Sequence, residues 1–295
     1  MKLLNSFDSA IAELDGLPRG YCINGITYDC YLRNDVWEKF VADMDTEHRR
    51  QFGYGSGSEL TSKNHKPPKM ASFASSSRMI YRLSESVPNF IFEKKMPTTI
   101  GGTANLDGYL ALPGQDIYVE AKCREPYNHA SVQIIKQNYR EIYTYLCEMM
   151  PDTFSCLMQN IPESSEIHKR CMNVHFYCKK RAVIAFDIKQ MICHLLAVAT
   201  SHLRYPSEKQ ILFLYLLYDP SLLLLSDDNK AIVHQIHSDV CWAAENFEFP
   251  QMFSHIVDFL STNYNFSSED HLLKHLKNSF HFQLCNQHDF LSYLR

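Results

Sequence analysis

The stretch ANLDGYLALPGQDIYVEAKCR, residues 104–124, predicts a β-hairpin on which the interpretation of the whole chain depends. Two runs with alternating apolar and polar residues flank Pro113-Gly114, a dipeptide typical of tight turns. Successive side chains of a strand point to opposite faces of the sheet. The hairpin therefore has one face that carries the apolar side chains and one face on which polar side chains are grouped.

Three ionisable residues define the polar face of the hairpin. Glu120 and Lys122 point the same way, and Asp107 lies on the preceding strand. Burying such groups is costly unless they meet water, a metal ion or a substrate. Carboxylate oxygens are the ligands that Mg²⁺ prefers, and the carbonyl of Ala121 would add a third oxygen. With Lys122 orienting the attacking water or stabilising the phosphorane, the set predicts a metal-dependent site that cleaves phosphodiesters.

The elements around the hairpin predict an α/β domain with a central mixed β-sheet flanked by helices. The predicted strands span 89–96, 104–112, 116–124, 173–178, 182–186 and 211–218, and the predicted helices span 71–86, 132–150 and 188–199. Residues 53–69, rich in Gly, Ser, Pro and Lys, and residues 151–168 predict loops. We predict three parts: a helical N-terminal extension (1–52), the catalytic core (53–220) and a helical C-terminal section (221–295).

Composition is typical of a globular protein and predicts neither a membrane span nor a secretory signal. The chain has 295 residues, 45% of them hydrophobic and 21% charged. No apolar run reaches the length of about 18 residues that a membrane-spanning helix needs. Ten cysteines are scattered without a regular spacing, which favours free thiols in a reducing cytoplasm over a disulfide framework.

The charge distribution favours an anionic partner at the middle of the chain. The net charge is −4, but residues 60–210 carry 19 Lys and Arg against 13 Asp and Glu, a net charge of +6. This is the part that contains the hairpin, so a polyanion would approach it there. A solvated surface with chance clustering of charges is the alternative. Basic residues that would contact phosphates include Lys94, Lys95, Arg124, Lys136, Arg140, Lys169, Arg170, Lys179, Lys180 and Arg181.

Asp107 followed by Glu120-Ala121-Lys122, in this order of strands, resembles the PD-(D/E)xK nuclease superfamily. Leu106 stands where that family often has proline. A narrower resemblance, over roughly residues 55–220, is to a group of bacterial restriction-endonuclease-like proteins. It rests on Ser75-Ser76-Ser77, Phe92-Glu93, Val119-Glu120-Ala121-Lys122 and the run from Phe186 to Leu195.

The resemblance implies a restriction-endonuclease-like core and a cytoplasmic, metal-dependent endonuclease that acts in restriction or defence. Its site residues would be Asp107 and Glu120 as metal ligands and Lys122 as a catalytic residue, with Mg²⁺ or Mn²⁺ as the cofactor. The implied partners are DNA, taken as double-stranded, and a second copy of the chain in a homodimer. Many enzymes of this superfamily have a third acid, for which Glu59, Glu85 and Glu93 are the candidates, although the sequence favours a solvated carboxylate over a ligand for each of them.

Further candidates accompany this set. Gln133 and Gln137 are predicted one turn apart on the helix after the hairpin, and Gln190 and His194 have the same spacing on the later helix. A lone histidine on an apolar helix is more often a core residue, and we interpret His194 in that way. Gly101-Gly102 predicts a loop that brings backbone close to the Asp107 strand, near a phosphate.

Two alternatives to a nuclease remain open. The first is a non-catalytic nucleic-acid-binding or assembly protein on a nuclease-like fold. The second is a zinc-stabilised nucleic-acid binder, in which Cys156, His168, Cys171, His175 and Cys178 would supply ligands. Their spacing is irregular for a structural zinc site, which favours buried thiols and surface histidines instead.

Overall fold

The computed structural model describes residues 2–54, 58–128, 132–161, 170–264, 266 and 269–295. The strands are β1 (Arg19–Ile23), β2 (Ile26–Leu32), β3 (Ile91–Pro97), β4 (Thr103–Ala111), β5 (Gln115–Lys122), β6 (Gln133–Lys136), β7 (Phe154–Asn160), β8 (Cys171–Cys178), β9 (Arg181–Val183), β10 (Gln210–Leu217) and β11 (Phe280–Cys285). The helices are α1 (Lys2–Asp15), α2 (Asn34–Asp43), α3 (Thr46–Tyr54), α4 (Ser76–Ser84), α5 (Arg140–Met149), α6 (Ile188–Arg204), α7 (Asp227–Asn246), α8 (Phe249–Asn263) and α9 (Asp270–Asn278).

A five-stranded mixed sheet with the order β11-β10-β5-β4-β3 forms the centre of the fold. The three strands β3, β4 and β5 are antiparallel neighbours, whereas β10 is parallel to β5 and β11 is parallel to β10. Helices pack on both faces of this sheet. The predicted α/β class, with a mixed sheet flanked by helices, is therefore confirmed.

The predicted hairpin of β4 and β5 is confirmed with its turn at Pro113-Gly114. Gly108 pairs with Val119, Tyr109 with Tyr118 and Leu110 with Ile117. The N–H group of Leu112 donates to the carbonyl of Gln115 at 2.8 Å and closes the turn. This register fixes which side chains of the two strands share a face.

Two hydrophobic cores lie on the two faces of the sheet. Ile117, Val119 and Ala121 of β5 are fully buried in a core that includes residues of α1 and α4. Tyr118 belongs to the other core, which surrounds α6 and α8. Side chains on both faces of β5 are therefore packed, and both layers of helices restrict where the end of the strand can move.

A second, smaller sheet follows the hairpin and corrects two predictions. It has the order β6-β8-β7, with β9 paired to β8. The helix predicted over 132–150 is wrong in its first part, because residues 133–136 form β6 and only residues 140–149 form α5. Of the loop predicted over 151–168, residues 154–160 form β7, and residues 162–169 lie outside the described residues.

The two terminal parts are not purely helical, which corrects a further expectation. Residues 1–52 contain the β1–β2 hairpin as well as helices, and residues 221–295 contain β11. β11 lies at the edge of the central sheet and pairs with β10 along its whole length, from Phe280 opposite Ile211 to Cys285 opposite Leu216. The alternating sequence of β11 was not recognised as a strand, because it is only six residues long and the pattern before it is mostly helical.

Among the described residues, no helix combines the length and the apolar character that crossing a membrane requires.

Candidate active site

The end of the β4–β5 hairpin brings together the three residues predicted from the sequence. The pairing of β4 with β5 ends at Gly108 and Val119, and Asp107 and Glu120 are the next residues of the two strands beyond that pair. Oδ2 of Asp107 accepts a hydrogen bond of 2.7 Å from the N–H group of Ala121, which links the acid of β4 to the backbone of β5. Nζ of Lys122 lies 2.5 Å from Oε1 of Glu120. All three side chains line one cleft.

Helix α6 holds Lys122 in place from the other side. Oε1 of Gln190 accepts a hydrogen bond of 2.7 Å from Nζ of Lys122. The helix begins after Asp187, whose side chain accepts a hydrogen bond of 2.9 Å from the N–H group of Gln190. An Asp followed three residues later by Gln is a start signal for a helix, so this feature was detectable in the sequence. Gln190 is thus positioned by the first turn of α6 and fixes the ammonium of Lys122.

His194 contacts the site as well as the core, which corrects its interpretation as a core residue alone. It lies one turn after Gln190 on α6, is almost fully buried, and places Nε2 at 3.4 Å from Oε2 of Glu120. Burial and the nearby charge of Lys122 lower the pKa of His194 to about 3. The imidazole is therefore neutral near pH 7 and adds no positive charge to the site.

The electrostatics of the three predicted residues are those of buried, interacting charges. Burial raises the pKa of Glu120 to about 7, although the adjacent Lys122 opposes that rise. Burial and the charge of Glu120 raise the pKa of Asp107 well above its usual range. Burial would lower the pKa of Lys122, but the surrounding acidic groups, with Glu120 first among them, together outweigh it and raise the pKa of the ammonium. Two carboxylates in this position repel each other and favour a cation between them.

Glu93 is the third acid that the structure brings to this site. It lies on β3 opposite Asp107, in the register set by Phe92 with Gly108 and Lys94 with Leu106. Glu93, Asp107 and Glu120 therefore come from three neighbouring strands and line one cleft. Burial and then the charges of Glu120 and Glu93 raise the pKa of Asp107, so this group of acids is costly without a cation.

The backbone of Glu93 adds a second unusual feature. Its φ angle is +52°, a left-handed conformation that is unfavourable for a residue with a side chain. Its carboxylate accepts a hydrogen bond from Nδ2 of Asn105, and burial raises its pKa. Of the other candidates for the third acid, Glu59 lines the same cleft and pairs with Lys69 at 2.8 Å. Glu85 is an exposed residue at the end of α4 and does not line the cleft.

We call the surrounding depression, with a volume of about 510 Å³, the acidic cleft. Its lining contains three cationic residues, Lys69, Lys122 and Arg124. It contains twice as many acids, namely Glu59, Glu93, Asp107, Glu120, Glu125 and Asp187. Arg124 is paired with Asp8 at 2.6 Å, so part of the positive charge is already neutralised. The cleft is therefore an environment for cations, and a polyanion would enter it only together with one.

Glu125 is a residue of this cleft that the sequence analysis missed. Its carboxylate accepts hydrogen bonds from the hydroxyl of Ser76, at 2.8 Å, and from the N–H group of Cys123, at 2.9 Å. It therefore ties the start of α4 to the end of β5. Its position directly after the hairpin was visible in the sequence, but its partner on α4 lies 49 residues away.

The donor set fits a cation that is held by two carboxylates and keeps several waters. Both oxygens of Glu120 are buried, and they face Nζ of Lys122 at 2.5 Å and Nε2 of His194 at 3.4 Å. A hard cation bound to this carboxylate would therefore share it with Lys122. Among the described residues, no group of three or more His, Cys, Asp or Glu side chains is arranged to hold a metal ion. Water and backbone oxygens would have to complete the shell.

Several other predicted residues lie away from the reacting groups. Gln133 is on β6 and Gln137 in the following 3-10 turn, so they do not share a helix face. In β8, Cys171 and His175 lie on the half-buried face, whereas Cys178 lies on the buried one. In the described parts of the chain, these side chains do not form a group of three that could hold a zinc ion. His168 lies outside the described residues.

Comparison with protein-family models, curated proteins and solved structures found no match to this chain.

Proposed function

We propose that this chain is a metal-dependent nuclease that hydrolyses phosphodiester bonds of DNA at the acidic cleft. The observation that carries the proposal is the convergence of Asp107, Glu120 and Lys122 at one end of the hairpin. Glu120 is 2% exposed and Lys122 is 6% exposed, so both charges are kept out of water. Such an arrangement is costly for stability and is typical of functional sites.

The order of elements supports a restriction-endonuclease-like core as part of the same proposal. Helix α4 is followed by the antiparallel strands β3, β4 and β5, and then, after the second sheet, by α6 and the parallel strand β10. This is the arrangement expected from the resemblance to the PD-(D/E)xK superfamily. In this proposal, β11, the second sheet and the terminal helices are additions to that core.

The chain's own residues have separable roles in the proposed reaction. Asp107 and Glu120 would hold Mg²⁺, with Mn²⁺ as a substitute, and the ion would supply a Lewis acid and an acidified water. Lys122, held by Gln190, would place its positive charge beside the phosphate oxygens on which negative charge develops. Glu93 would contribute further negative charge or hold a water molecule of the ion. Neutral His194 limits the movement of the Glu120 carboxylate.

The test is cleavage of DNA by the wild-type protein and by three variants of similar side-chain size. Plasmid DNA, single-stranded DNA and RNA would each be incubated with Mg²⁺, with Mn²⁺ and with EDTA. We expect cleavage of DNA only with a metal ion. We expect Asp107→Asn, Glu120→Gln and Lys122→Met to lower the rate by about 100-fold or more, because each removes one charge from the reacting centre. The amide oxygen introduced by Asp107→Asn can still accept the hydrogen bond from the N–H group of Ala121.

Lys230→Met is the matched control for Lys122→Met, because Lys230 is an exposed lysine on α7 outside the cleft. We expect it to cleave at the wild-type rate. Cleavage that survives both Asp107→Asn and Lys122→Met would disprove the site assignment. If the wild-type protein cleaves none of the substrates with either metal but still binds DNA, the non-catalytic nucleic-acid-binding alternative replaces the nuclease.

A further inference from the structure

A second cleft of about 410 Å³ adjoins the acidic cleft, and we call it the lysine cleft. The two share a wall formed by Asn105, Asp187 and Gln190. Gln190 is the residue that holds Lys122, so a molecule in the lysine cleft would lie against the positioning residue of the proposed catalytic lysine. The volume is within the range of binding sites for small molecules and single building blocks of polymers.

The charge of the lysine cleft is opposite to that of the acidic cleft. Its cations are Lys136 at the end of β6 and Lys189 in the first turn of α6, and its one acid is Asp187. Within the described parts of the chain, neither lysine forms an ion pair with an acid. Cys193 also lines the cleft, and the charges of both lysines oppose the rise in the pKa of its thiol that burial causes.

The remaining lining suits a sugar-phosphate chain. Ile134 is 49% exposed beside Lys136, so an apolar contact surface is available next to a positive charge. The backbone of Gly102 also lines this cleft, with a φ angle of +99° that favours glycine. A Cβ atom there would lie 3.1 Å from the hydroxyl of Tyr139, which would have to shift slightly.

We propose that the lysine cleft binds the backbone of a nucleic-acid strand next to the phosphodiester that reacts in the acidic cleft. This inference rests on the proposed nuclease function and deepens it, because it assigns the site that retains the polyanion. The acidic cleft repels a phosphate backbone until a cation is bound, whereas Lys136 and Lys189 attract one without it. Binding of DNA and its cleavage then depend on different residues.

Equilibrium binding in EDTA tests this assignment without any dependence on catalysis. The probe is a short fluorescein-labelled DNA duplex, and its anisotropy is measured over a range of salt concentrations. We expect Lys136→Ala combined with Lys189→Ala to weaken binding by about 10-fold or more. The slope of log K against log salt should become shallower by about 1.8, as expected for the loss of two phosphate contacts. Asp107→Asn should bind at least as tightly as the wild type, because it removes a negative charge from the neighbouring cleft.

The matched control is Lys230→Ala combined with Lys274→Ala, which removes the same charge from exposed positions on α7 and α9. It should leave affinity and slope unchanged. Equal affinity and slope for the lysine-cleft variant and the wild type would overturn the inference and leave the nuclease proposal standing. Lost binding in that variant, with a wild-type protein that never cleaves, would support the lysine cleft and refute the nuclease. Absence of DNA binding by the wild type in EDTA overturns the inference, and cleavage with Mg²⁺ decides the nuclease proposal separately.

Discussion

Three carboxylates from β3, β4 and β5 line the acidic cleft and dominate the chemistry at the scale of single residues. They belong to Glu93, Asp107 and Glu120, and the ammonium of Lys122 lies beside Glu120. Each of the three acids has a pKa that burial raises. The fold therefore retains an arrangement that costs stability, and the proposed cation site is the reason we give for it.

Glu93→Gln tests whether the third acid serves function rather than folding. The amide keeps the size of the side chain and the acceptor for Asn105, and it removes a buried negative charge. We expect the melting temperature to stay equal or rise, and cleavage with Mg²⁺ to fall by about 10-fold or more.

Glu85→Gln is the comparison for this variant, since Glu85 is an exposed acid outside the cleft. It should change neither the melting temperature nor the rate of cleavage. A Glu93→Gln protein that cleaves normally but melts earlier would show that Glu93 has a structural role alone.

His202 of α6 contacts the start of β5, whereas the proposed catalytic residues lie at the other end of that strand. The environment of His202 predicts that the free energy of unfolding depends on pH. Its Nε2 atom lies 3.0 Å from the hydroxyl of Tyr118 and 3.9 Å from Asp116, which is paired with Lys209. Burial lowers the pKa of His202 below its usual value of 6.5, Asp116 opposes this effect, and Lys209 adds to it. Between the folded-state pKa and 6.5, the unfolded chain binds a proton that the folded chain does not.

The free energy of unfolding should therefore decrease as the pH falls below about 6.5, and this contribution should be complete above that pH. The side chain introduced by His202→Gln keeps a hydrogen-bonding partner for Tyr118 and does not titrate. Urea unfolding at pH 7.5 and pH 5.0 should show a larger loss of stability for the wild type than for His202→Gln. Equal losses in the two proteins would contradict this assignment of the titrating group.

At the scale of elements, the close approach of α4 and β4 depends on a glycine next to Asp107. A Cβ atom on Gly108 would overlap the ring of Phe90, with Cε1 at 2.8 Å, and would lie 3.0 Å from Cδ1 of Ile80 on α4. Both of these neighbours are buried. The absence of a side chain at Gly108 thus sets how closely the helix packs on the hairpin.

Gly108→Ala should lower the free energy of unfolding by about 1–3 kcal/mol, because the core must shift to make room for one methyl group. Gly114→Ala is the control in the turn of the same hairpin, where nothing lies within 4 Å of the added Cβ atom. We expect it to change stability by no more than about 0.5 kcal/mol. Urea denaturation of the two variants and the wild type measures the difference, and equal stabilities would show that α4 adjusts without cost.

At the scale of the whole molecule, the central sheet contains strands from two of the three predicted parts, the core of 53–220 and the C-terminal section of 221–295. β11 comes from the last 16 residues and pairs with β10, and Phe280 of β11 packs on Phe253 of α8 with ring centroids 4.3 Å apart. Phe247 and Phe249 belong to the same buried core as α6. The predicted core of residues 53–220 would lose all of these contacts.

We therefore expect a fragment of residues 53–220 to lack a cooperative unfolding transition. Its β10 would present an unpaired edge, and the buried side of α6 would be exposed to water. Thermal unfolding followed by circular dichroism should show a broad change for the fragment and a cooperative one for the full chain. A cooperative transition in the fragment would show that residues 53–220 fold on their own, as the predicted domain boundary at residue 220 requires.

The sequence predicted those features that depend on neighbouring residues. The alternation along 104–124 and the turn at Pro113-Gly114 were sufficient for the hairpin and for the shared face of Glu120 and Lys122. Helix α6 was recognisable from its apolar run. β6 and β7 were assigned wrongly, because short strands with apolar residues at mixed spacing resemble parts of helices and loops.

Taken alone, the sequence determined the α/β class, the hairpin and the three candidate residues Asp107, Glu120 and Lys122, because the period of a strand decides the faces of its side chains. Only the tertiary structure decided which acid joins them, how α6 holds Lys122, and where β11 and the lysine cleft lie. Glu93 is 27 residues from Glu120, and Gln190 is 68 residues from Lys122. Contacts over such separations arise from the packing of whole elements, and no local pattern of residues encodes them.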